Sequence, residues 1–423
     1  MSKSGMQTRR SAVYLLDQVL GEGRLLSELI GAGALDRLDP PERARAQRLA
    51  TDTLRSLERA DRVLHKHLKK TPALTVHNVL RLAAVELCRG GAAHGVVNDA
   101  VEIVARNKRT QGMKGMVNAV LRKVAAQGPD DWAKLRVPRL PKWLRAPLAE
   151  AYGAPAVAAM EAAHFQGAPL DLTARGNPAA LAQTLGAVLL PTGTVRLHDA
   201  GQVSTLPGYD RGDWWVQDVA AALPARVLNA QPGENVLDLC AAPGGKTMQL
   251  AATGARVTAV DDNPARMARL RDNLKRTGLT AELVVGDALA QTGTWDAILL
   301  DAPCSATGTI RRHPDLPFAK DGSGFGDLIE LQGAMLTHAL TLLKPGGRLV
   351  YCTCSLLPDE GECQVDEVLA RDDGTKVDRA ALALPGIAPE WITPEGGLRL
   401  RPDYLGDQGG MDGFYIACLT KPA

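Results

Sequence analysis

Two cysteines follow strand-like segments in the last third of the chain. Cys304 closes the sequence Asp301-Ala302-Pro303-Cys304 after the apolar run 295–300, and Cys354 closes Cys352-Thr353-Cys354 after the run 348–351. Parallel α/β sheets bind ligands outside the carboxyl ends of their strands, so neighbouring strands would bring both cysteines to one cleft. A thiol pair beside the carboxylate of Asp301 indicates covalent attack on an electrophilic ring.

The cysteine spacing argues against a metal site and against a disulfide framework. The chain has seven cysteines, and none has the C-x-x-C spacing of a zinc site, so no metal is expected. An odd cysteine count behind an N-terminus that lacks an apolar leader is typical of a reduced, cytoplasmic protein. The chain also contains no run of about 18 apolar residues that would predict a membrane span.

A glycine-containing loop follows the first predicted strand of the C-terminal half. Residues 235–239 form the strand, and Cys240-Ala241-Ala242-Pro243-Gly244-Gly245-Lys246-Thr247 leads into a helix. Glycines here let a ligand approach the backbone, and the helix N-terminus offers free N–H groups. A Walker A loop would need glycine at position 240, and G-x-G-x-x-G is absent, so neither nucleotide motif fits.

Carboxylates follow the next predicted strands. Asp261 ends the second strand, where an acid suits two ribose hydroxyls, and Asp287 follows the third, where it can meet an adenine amino group. A single acid in such a place is more often a helix cap or a turn residue, but three at successive strand ends favour a ligand. The pattern predicts an adenosine ligand that carries a carboxylate and no phosphate, and S-adenosylmethionine fits.

The order of the predicted elements gives a fold class and three parts. Residues 1–128 are predicted to be all-α, 129–215 a linker with a small α+β unit, and 216–423 an α/β region. Its strands are predicted at 235–239, 256–260, 281–285, 297–300, 348–351 and 414–419. Alternation with helices predicts a doubly wound parallel sheet.

Charge is distributed unevenly along the chain. Lys and Arg outnumber Asp and Glu by 27 to 15 in residues 1–150, whereas the acidic residues prevail in the remainder. A basic half joined to an acidic half indicates a polyanion-binding region attached to a different activity. A solvated helical surface is the alternative explanation of the basic half.

Several residues predict where elements begin and end. Asn98 is a plausible helix N-cap, and Asn177 is expected to cap a helix over 178–185. Residues 127–130, Gln-Gly-Pro-Asp, are expected to break the last helix of the N-terminal part. Trp214-Trp215 is expected to pack between domains rather than to stack on bases, and Gln217-Asp218 to open the first catalytic helix.

Taken together, the motifs resemble the RNA (cytosine-C5) methyltransferases of the NOL1/NOP2/Sun family. The likeness covers residues 238–247, Asp261, Asp287, residues 301–315, Thr353-Cys354-Ser355 and residues 413–417. Residues 80–87, 96–102 and 115–121 resemble the NusB fold, an RNA-binding helical domain, as in the family branch that acts on 16S ribosomal RNA. The resemblance implies a Rossmann-like S-adenosylmethionine-dependent methyltransferase sheet, a NusB-like N-terminal domain and a small RNA-binding connector domain.

The resemblance also implies roles for the site residues. C5 of cytosine is a poor nucleophile, and a thiolate that adds to C6 activates it. DNA cytosine-C5 methyltransferases use the Pro-Cys cysteine for this, whereas this RNA family uses the Thr-Cys cysteine. Cys354 is therefore the expected nucleophile, and Cys304 is expected to assist release. Asp301 is expected to hold N3 and the amino group of the base, and Lys246 to contact the cofactor or the base.

Binding contacts follow from the same resemblance. The cofactor is expected to contact Cys240, Ala241, Ala242, Pro243, Gly244, Gly245, Lys246, Asp261, Asp287 and Asp301. Arg311 and Arg312 are expected to meet phosphates beside the target base, which must leave its stack to react; a solvated loop is the alternative. His313 is expected to be structural or RNA-contacting rather than a general base.

Two other functions stay open on the sequence. The substrate can be transfer RNA, because motif chemistry does not separate the two RNAs. A non-catalytic NusB-like RNA-binding factor would have decayed catalytic motifs, yet Cys304, Cys354, Asp301 and Gly244-Gly245 are all present. We expect a monomer that uses S-adenosylmethionine, binds 16S ribosomal RNA or a small-subunit assembly intermediate, and does not bind membranes.

Overall fold

The computed structural model describes residues 3–198, 201–371 and 374–422. Contacts within the chain define two compact units, one of residues 1–166 with 310–322, the other of 167–309 with 323–423. The sequence motifs predicted domain boundaries at residues 128 and 215. The contacts instead group the helices between residues 129 and 166 with the first unit. No helix in the described part of the chain is long and apolar enough to cross a bilayer.

The first unit is helical, as predicted. Its helices before residue 167 are α1 (Lys3–Glu22), α2 (Leu26–Gly31), α3 (Pro40–Arg55), α4 (Leu57–His65), α5 (Leu74–Cys88), α6 (Ala93–Ala105), α7 (Lys114–Ala133), α8 (Lys142–Tyr152) and α9 (Ala154–Gln166). One core lies between α1, α3, α5 and α7, where Leu16, Leu54, Leu80 and Leu121 are buried. Helical spacing of the apolar residues puts these side chains on inward faces.

The expected N-cap at Asn98 is wrong. Helix α6 begins at Ala93, so Asn98 lies inside the helix. The apolar residues Val96, Ala100 and Val104 share one buried face, and this face extends the helix upstream of the expected cap.

The expected helix break at residues 127–130 is also wrong. Helix α7 continues through Pro129 to Ala133. Trp132 in its last turn is buried, and the guanidinium carbon of Arg59 lies 4.5 Å from the Trp132 ring centroid. A proline inside a helix costs about 3 kcal/mol, and packing of this last turn offsets the loss.

A small antiparallel sheet begins the second unit. It contains β1 (Leu170–Ala174), β2 (Val188–Leu189), β3 (Val195–Leu197) and β4 (Trp214–Val216) in the order β2-β3-β1-β4, with α10 (Pro178–Leu185) beside it. The predicted cap is confirmed, because Asn177 accepts a hydrogen bond from the Ala179 N–H. Trp214 and Trp215 are buried in separate apolar clusters, as the packing interpretation requires.

The large sheet carries the remaining strands. The elements are α11 (Val219–Leu228), β5 (Asn235–Leu239), α12 (Gly245–Ala252), β6 (Arg256–Asp261), α13 (Pro264–Thr277), β7 (Glu282–Val285), β8 (Trp295–Asp301), α14 (Leu316–Ala319), α15 (Phe325–Thr341), β9 (Leu343–Thr353), α16 (Glu362–Arg371), β10 (Lys376–Val377), β11 (Leu398–Leu400) and β12 (Phe414–Thr420). Of these, α14 belongs to the first unit. Asp218 caps α11, as predicted, by accepting from the Ala220 N–H.

The strand order is β10-β12-β9-β8-β5-β6-β7, with β11 paired to β12. Strands β9, β8, β5, β6 and β7 are parallel, and consecutive residues such as Val236 and Leu237 enter apolar clusters on opposite faces. The α/β class is therefore confirmed. A wholly parallel sheet is wrong, because β12 runs antiparallel to β9; such an antiparallel edge on a parallel sheet is common.

The chain order reverses between β5 and β8. Strands β6 and β7 extend the sheet to one side of β5, and β8 and β9 extend it to the other. A crevice forms outside the carboxyl ends of the strands at such a switch point, and ligands bind there in open α/β sheets. The predicted cysteines and the predicted acids Asp261, Asp287 and Asp301 lie at or after the carboxyl ends of these strands.

Candidate active site

The carboxyl ends of β8 and β9 bring the two predicted cysteines together. The strands pair in parallel with Asp301 opposite Cys352, so the residues that follow leave the sheet at the same edge. The sulfur atoms of Cys304 and Cys354 lie 3.5 Å apart. Both are free thiols and both side chains are half-buried. The structure thus brings the predicted pair together at the carboxyl edge of the sheet.

One cysteine of this thiol pair, Cys304, has a raised pKa. A hydrogen bond to Cys354, together with burial, raises the pKa of Cys304 well above its usual value. Cys304 is therefore protonated at neutral pH, and either sulfur can be the donor in the contact between the two thiols. The thiolate is the reactive form of a cysteine, so the raised pKa of Cys304 disfavours Cys304 as the nucleophile.

Lys246 reaches the same edge from the first turn of α12. Its Nζ lies 2.7 Å from Oδ2 of Asp301 and 5.3 Å from the ring centroid of Phe414. Burial alone would lower the pKa of Lys246, but the carboxylate of Asp301 outweighs burial, and the pKa is raised. The ammonium is therefore a fixed positive charge beside the thiol pair. Oδ1 of Asp301 also accepts a hydrogen bond from the Cys352 thiol at 3.4 Å.

The loop between β5 and α12 folds against the end of β6. The Ala241 N–H donates to the oxygen of Val260 at 3.0 Å, which holds the loop to the neighbouring strand. Gly244 adopts φ +101°, and a Cβ there would lie 2.6 Å from Cγ of Leu270. Only glycine combines this left-handed conformation with this close approach. The first turn of α12 then presents its backbone N–H groups at the sheet edge.

Asp238 is a buried acid at the end of β5. The Thr247 hydroxyl donates to its Oδ2 at 2.6 Å, whereas Oδ1 has no hydrogen-bond partner among the described residues. Burial, with the nearby charge of Asp301, raises the pKa of Asp238 to about 7. An orphaned carboxylate oxygen beside the cofactor loop fits the amino group of an amino-acid moiety, which S-adenosylmethionine carries.

Asp261 and Asp287 lie after neighbouring strands, where the sequence predicted an adenosine site. Asp261 accepts N–H bonds from Ala242 at 3.0 Å and Asn263 at 3.1 Å, one on each carboxylate oxygen. Each oxygen keeps a second lone pair for a ribose hydroxyl. Asp287 caps a short turn through Oδ1, which accepts from the Leu289 N–H at 2.9 Å, and the residue is exposed. The arrangement fits the cofactor.

A buried hydroxyl cluster, absent from the sequence prediction, joins the two cysteine loops. The hydroxyl oxygens of Ser305 and Ser355 lie 3.1 Å apart, and Thr307 contacts both, at 3.1 and 3.2 Å. Each serine directly follows one of the cysteines, a signal that the sequence contained. The buried carboxylate of Glu360 accepts from the Ser305 hydroxyl and from Gln332, and only the fold brings these residues together.

Two glycines bring the cysteine loops against the segment that leads into β12. The Gly413 N–H donates to the oxygen of Gly308 at 2.8 Å, and the Gly308 N–H donates to the oxygen of Cys354 at 2.9 Å. A Cβ on Gly308 would lie 2.0 Å from the oxygen of Gly413. This backbone approach requires glycine at position 308.

The two arginines predicted to contact RNA differ in exposure. Arg311 is fully buried, so its guanidinium has no surface for a phosphate in this arrangement, whereas Arg312 is exposed. The oxygen of Arg311 accepts from Arg55 at 2.9 Å within the first unit. Burial and the charge of Arg312 lower the pKa of His313 to about 4, so its imidazole is neutral.

Known proteins resemble this chain over its whole length. Residues 225–420 match the family described as 16S rRNA methyltransferase RsmB/F, and residues 6–126 match the NusB family. The ribosomal RNA small subunit methyltransferase B of Pseudomonas syringae pv. tomato is 36% identical over 450 residues, covering 99% of this chain and 98% of that protein. The protein of the same name from Sodalis glossinidius is 35% identical over 449 residues, covering 99% of both chains.

A solved structure extends the likeness to the fold. The crystal structure of PH0851 superposes with a TM-score of 0.75 and covers 100% of this chain and 99% of that one, at 23% identity. Its agreement concerns the fold alone.

Proposed function

The chain belongs to the RsmB/F family of 16S ribosomal RNA methyltransferases, and we propose that it methylates C5 of a cytidine in 16S ribosomal RNA through a covalent adduct on Cys354. The enzyme is an S-adenosylmethionine-dependent RNA methyltransferase. The observation that carries the proposal is the pair of thiols of Cys304 and Cys354, whose sulfur atoms lie 3.5 Å apart at the carboxyl edge of the sheet.

S-adenosylmethionine, when bound, supplies the electrophilic methyl group that C5 of the base takes. Its methionine part would lie along residues 240–246, where the orphaned oxygen of Asp238 suits its amino group. Its ribose would meet Asp261, and its adenine amino group would meet Asp287.

Attack begins at Cys354. Its thiolate forms a bond to C6 of the cytosine, and the electron pair of the C5–C6 double bond becomes available at C5. Asp301 would orient the base by accepting from its amino group, and the ammonium of Lys246 would stabilise the negative charge that develops on the ring near N3. The 2.7 Å contact of these two residues fixes both before the base arrives.

Release needs the C5 proton to leave and the C6–sulfur bond to break. Cys304 takes the C5 proton while its own thiol proton passes to the departing sulfur of Cys354. Both cysteines end as neutral thiols, and the ring regains its C5–C6 double bond. The short sulfur–sulfur distance supports this exchange.

Two features support RNA of the small ribosomal subunit as substrate. The NusB-like helical unit holds the basic excess of the chain, and such a surface attracts the phosphate backbone. Arg312, which is exposed, is the proposed contact for a phosphate of the RNA. The target cytidine must be unpaired or flipped to reach the buried pair.

The test is a denaturing-gel assay of full-length Cys304→Ala and Cys354→Ala with S-adenosylmethionine and 16S ribosomal RNA, beside a methyl-transfer assay. Cys304→Ala should accumulate a denaturation-resistant protein–RNA adduct, because release stalls. Cys354→Ala should give neither adduct nor methylated product. Cys363→Ala, an exposed cysteine outside the pair, is the matched control and should behave as wild type.

The reversed pattern would make Cys304 the nucleophile and overturn the assignment. Nucleoside analysis of the wild-type product should show 5-methylcytidine. A methyl group on any other atom would show that the proposed reaction is wrong. Absence of product on 16S ribosomal RNA with product on transfer RNA would change the substrate class.

A further inference from the structure

A cleft of about 730 Å³ opens within the helical unit. Its walls come from the end of α3 and from α4, from residues 136–143, from the end of α9, and from residues 310–321. All of these segments belong to the same compact unit. The volume falls in the range of small-ligand pockets.

The walls of this cleft are mainly apolar and include three aromatic side chains, Trp143, Phe165 and Phe318. Phe318 is 36% exposed, although large apolar side chains are usually covered. The Trp143 Nε1–H donates to the oxygen of Pro317 at 3.3 Å, which fixes that ring against the segment that carries Phe318. The exposed ring of Phe318 suits a flat, unsaturated ligand.

Acidic and basic side chains line the cleft in equal number, four of each, and Arg139 is the basic residue that suits an anion. Glu58 pairs with Arg136, and Glu161 pairs with Arg145 at 2.9 Å, so these acids are neutralised within the unit. Arg139 lines the cleft, is exposed, and has no ion-pair partner among the described residues. An unpaired guanidinium beside aromatic walls is the combination that binds single-stranded nucleic acid, where bases stack and phosphates are neutralised.

His164 adds a polar group to the lining. Its side chain is buried, and neither ring nitrogen has a hydrogen-bond partner in the described chain. Burial, with the charges of Arg311 and Arg55, lowers the pKa of His164 to about 3, so the ring is neutral. A neutral imidazole has one donor and one acceptor, and the polar edge of a nucleobase offers partners for both.

We propose that this cleft holds one unstacked nucleotide of the RNA substrate, with its base against Phe318 and Trp143 and its phosphate on Arg139. The inference rests on the proposed function, because the occupant belongs to the same RNA as the target cytidine. An apolar peptide would use the aromatic walls but not the unpaired arginine. The basic excess of residues 1–150 also favours RNA.

Two matched pairs of full-length variants test the cleft by their affinity for 16S ribosomal RNA at fixed salt. Arg139→Glu should bind about tenfold or more weakly than Arg37→Glu, an exposed arginine of the same unit outside the cleft that carries the same charge change. Phe318→Ala should bind about tenfold more weakly than wild type, and Phe318→Tyr should retain the affinity, because stacking needs only the ring.

Crosslinking locates the nucleotide directly. RNA that contains 4-thiouridine should crosslink to wild type within residues 136–143 or 310–321, and Phe318→Ala should lose these crosslinks. If Arg139→Glu and Phe318→Ala bind RNA as tightly as their controls and the crosslinks lie elsewhere, the proposed nucleotide site in the cleft is wrong. Formation of 5-methylcytidine by the wild type would still support the proposed reaction in that case. If the cleft variants bind RNA more weakly but the wild type forms no 5-methylcytidine, the nucleotide site in the cleft is supported and the proposed reaction is wrong.

Discussion

Glu360 contacts both of the loops that carry Cys304 and Cys354. Its Oε1 lies 2.8 Å from the backbone nitrogen of Ser305, and its backbone oxygen lies 2.9 Å from the hydroxyl of Thr353. Ser305 follows Cys304, and Thr353 precedes Cys354. Because Glu360 is fully buried, it acts on the sulfurs by positioning their loops.

Glu360→Gln should therefore slow the chemical step. An amide at this place turns an N–H group toward converging donors and leaves a buried donor unpaired, at a cost of about 1–3 kcal/mol. We expect kcat to fall about 10- to 100-fold, with the KM for S-adenosylmethionine unchanged. Steady-state methyl transfer measures both constants, and Glu367→Gln, an exposed acid on α16, is the control. A normal kcat in Glu360→Gln would show that the contact does not position the thiols.

Gly308→Ala should distort the active-site loop. The new methyl group would meet the oxygen of Gly413 at 2.0 Å, which is backbone and cannot rotate away. Overpacking of this kind costs about 1–3 kcal/mol, so the melting temperature and the methylation rate should both fall. Gly406→Ala has open space at its Cβ and should change neither. Thermal melts and methyl transfer on both variants decide the matter, and wild-type behaviour of Gly308→Ala would contradict the close approach.

Asp238 should make the stability of the cofactor-free protein fall as the pH rises toward 7. Its pKa is raised by burial from an ordinary value near 4 to about 7, so between these pH values the folded state holds a proton that the unfolded chain has lost. The free energy of unfolding therefore falls as the pH rises, by at most about 4 kcal/mol between pH 4 and pH 7. Asp238→Asn should remove this dependence.

Melting temperatures at pH 5, 6, 7 and 8 measure the effect as the difference between Asp238→Asn and wild type. The melting temperature of Asp238→Asn should rise relative to that of wild type as the pH increases. Asp407→Asn, which changes an exposed acid, should have the melting temperature of wild type at every pH. A difference that stays constant across the pH range would refute a protonated Asp238.

Asp261→Asn should weaken cofactor binding. One carboxylate oxygen becomes an amide nitrogen that faces the N–H of Ala242 or Asn263, so the loop shifts and a ribose acceptor is lost. We expect the dissociation constant for S-adenosylmethionine, measured by calorimetry, to rise about tenfold, since a hydrogen bond to a charged group contributes about 1.5–3 kcal/mol. Asp272→Asn on the exposed face of α13 should bind normally. Equal affinities would place the ribose elsewhere.

The sequence by itself determined the elements and the chemistry-bearing residues. Strand β5 begins and ends where the apolar pattern predicts, and Asn177 caps helix α10 as predicted, because these signals are local. The two cysteines, Asp301 and the acids at the strand ends were recognisable from residue type and position after a strand. The helix ends near Asn98 and Pro129 were wrong, since packing against distant helices outweighed local propensity.

Only the tertiary structure decided how these residues act together. The raised pKa of Cys304 follows from a sulfur 50 residues away in the chain, and the ammonium of Lys246 stays charged because Asp301 lies 2.7 Å from it. Glu360, the glycine contact at Gly308 and the burial of Arg311 carry no local signal. These features depend on contacts between segments that are remote in sequence. Electrostatic interactions and packing act between neighbours in space, so the local sequence does not reveal them.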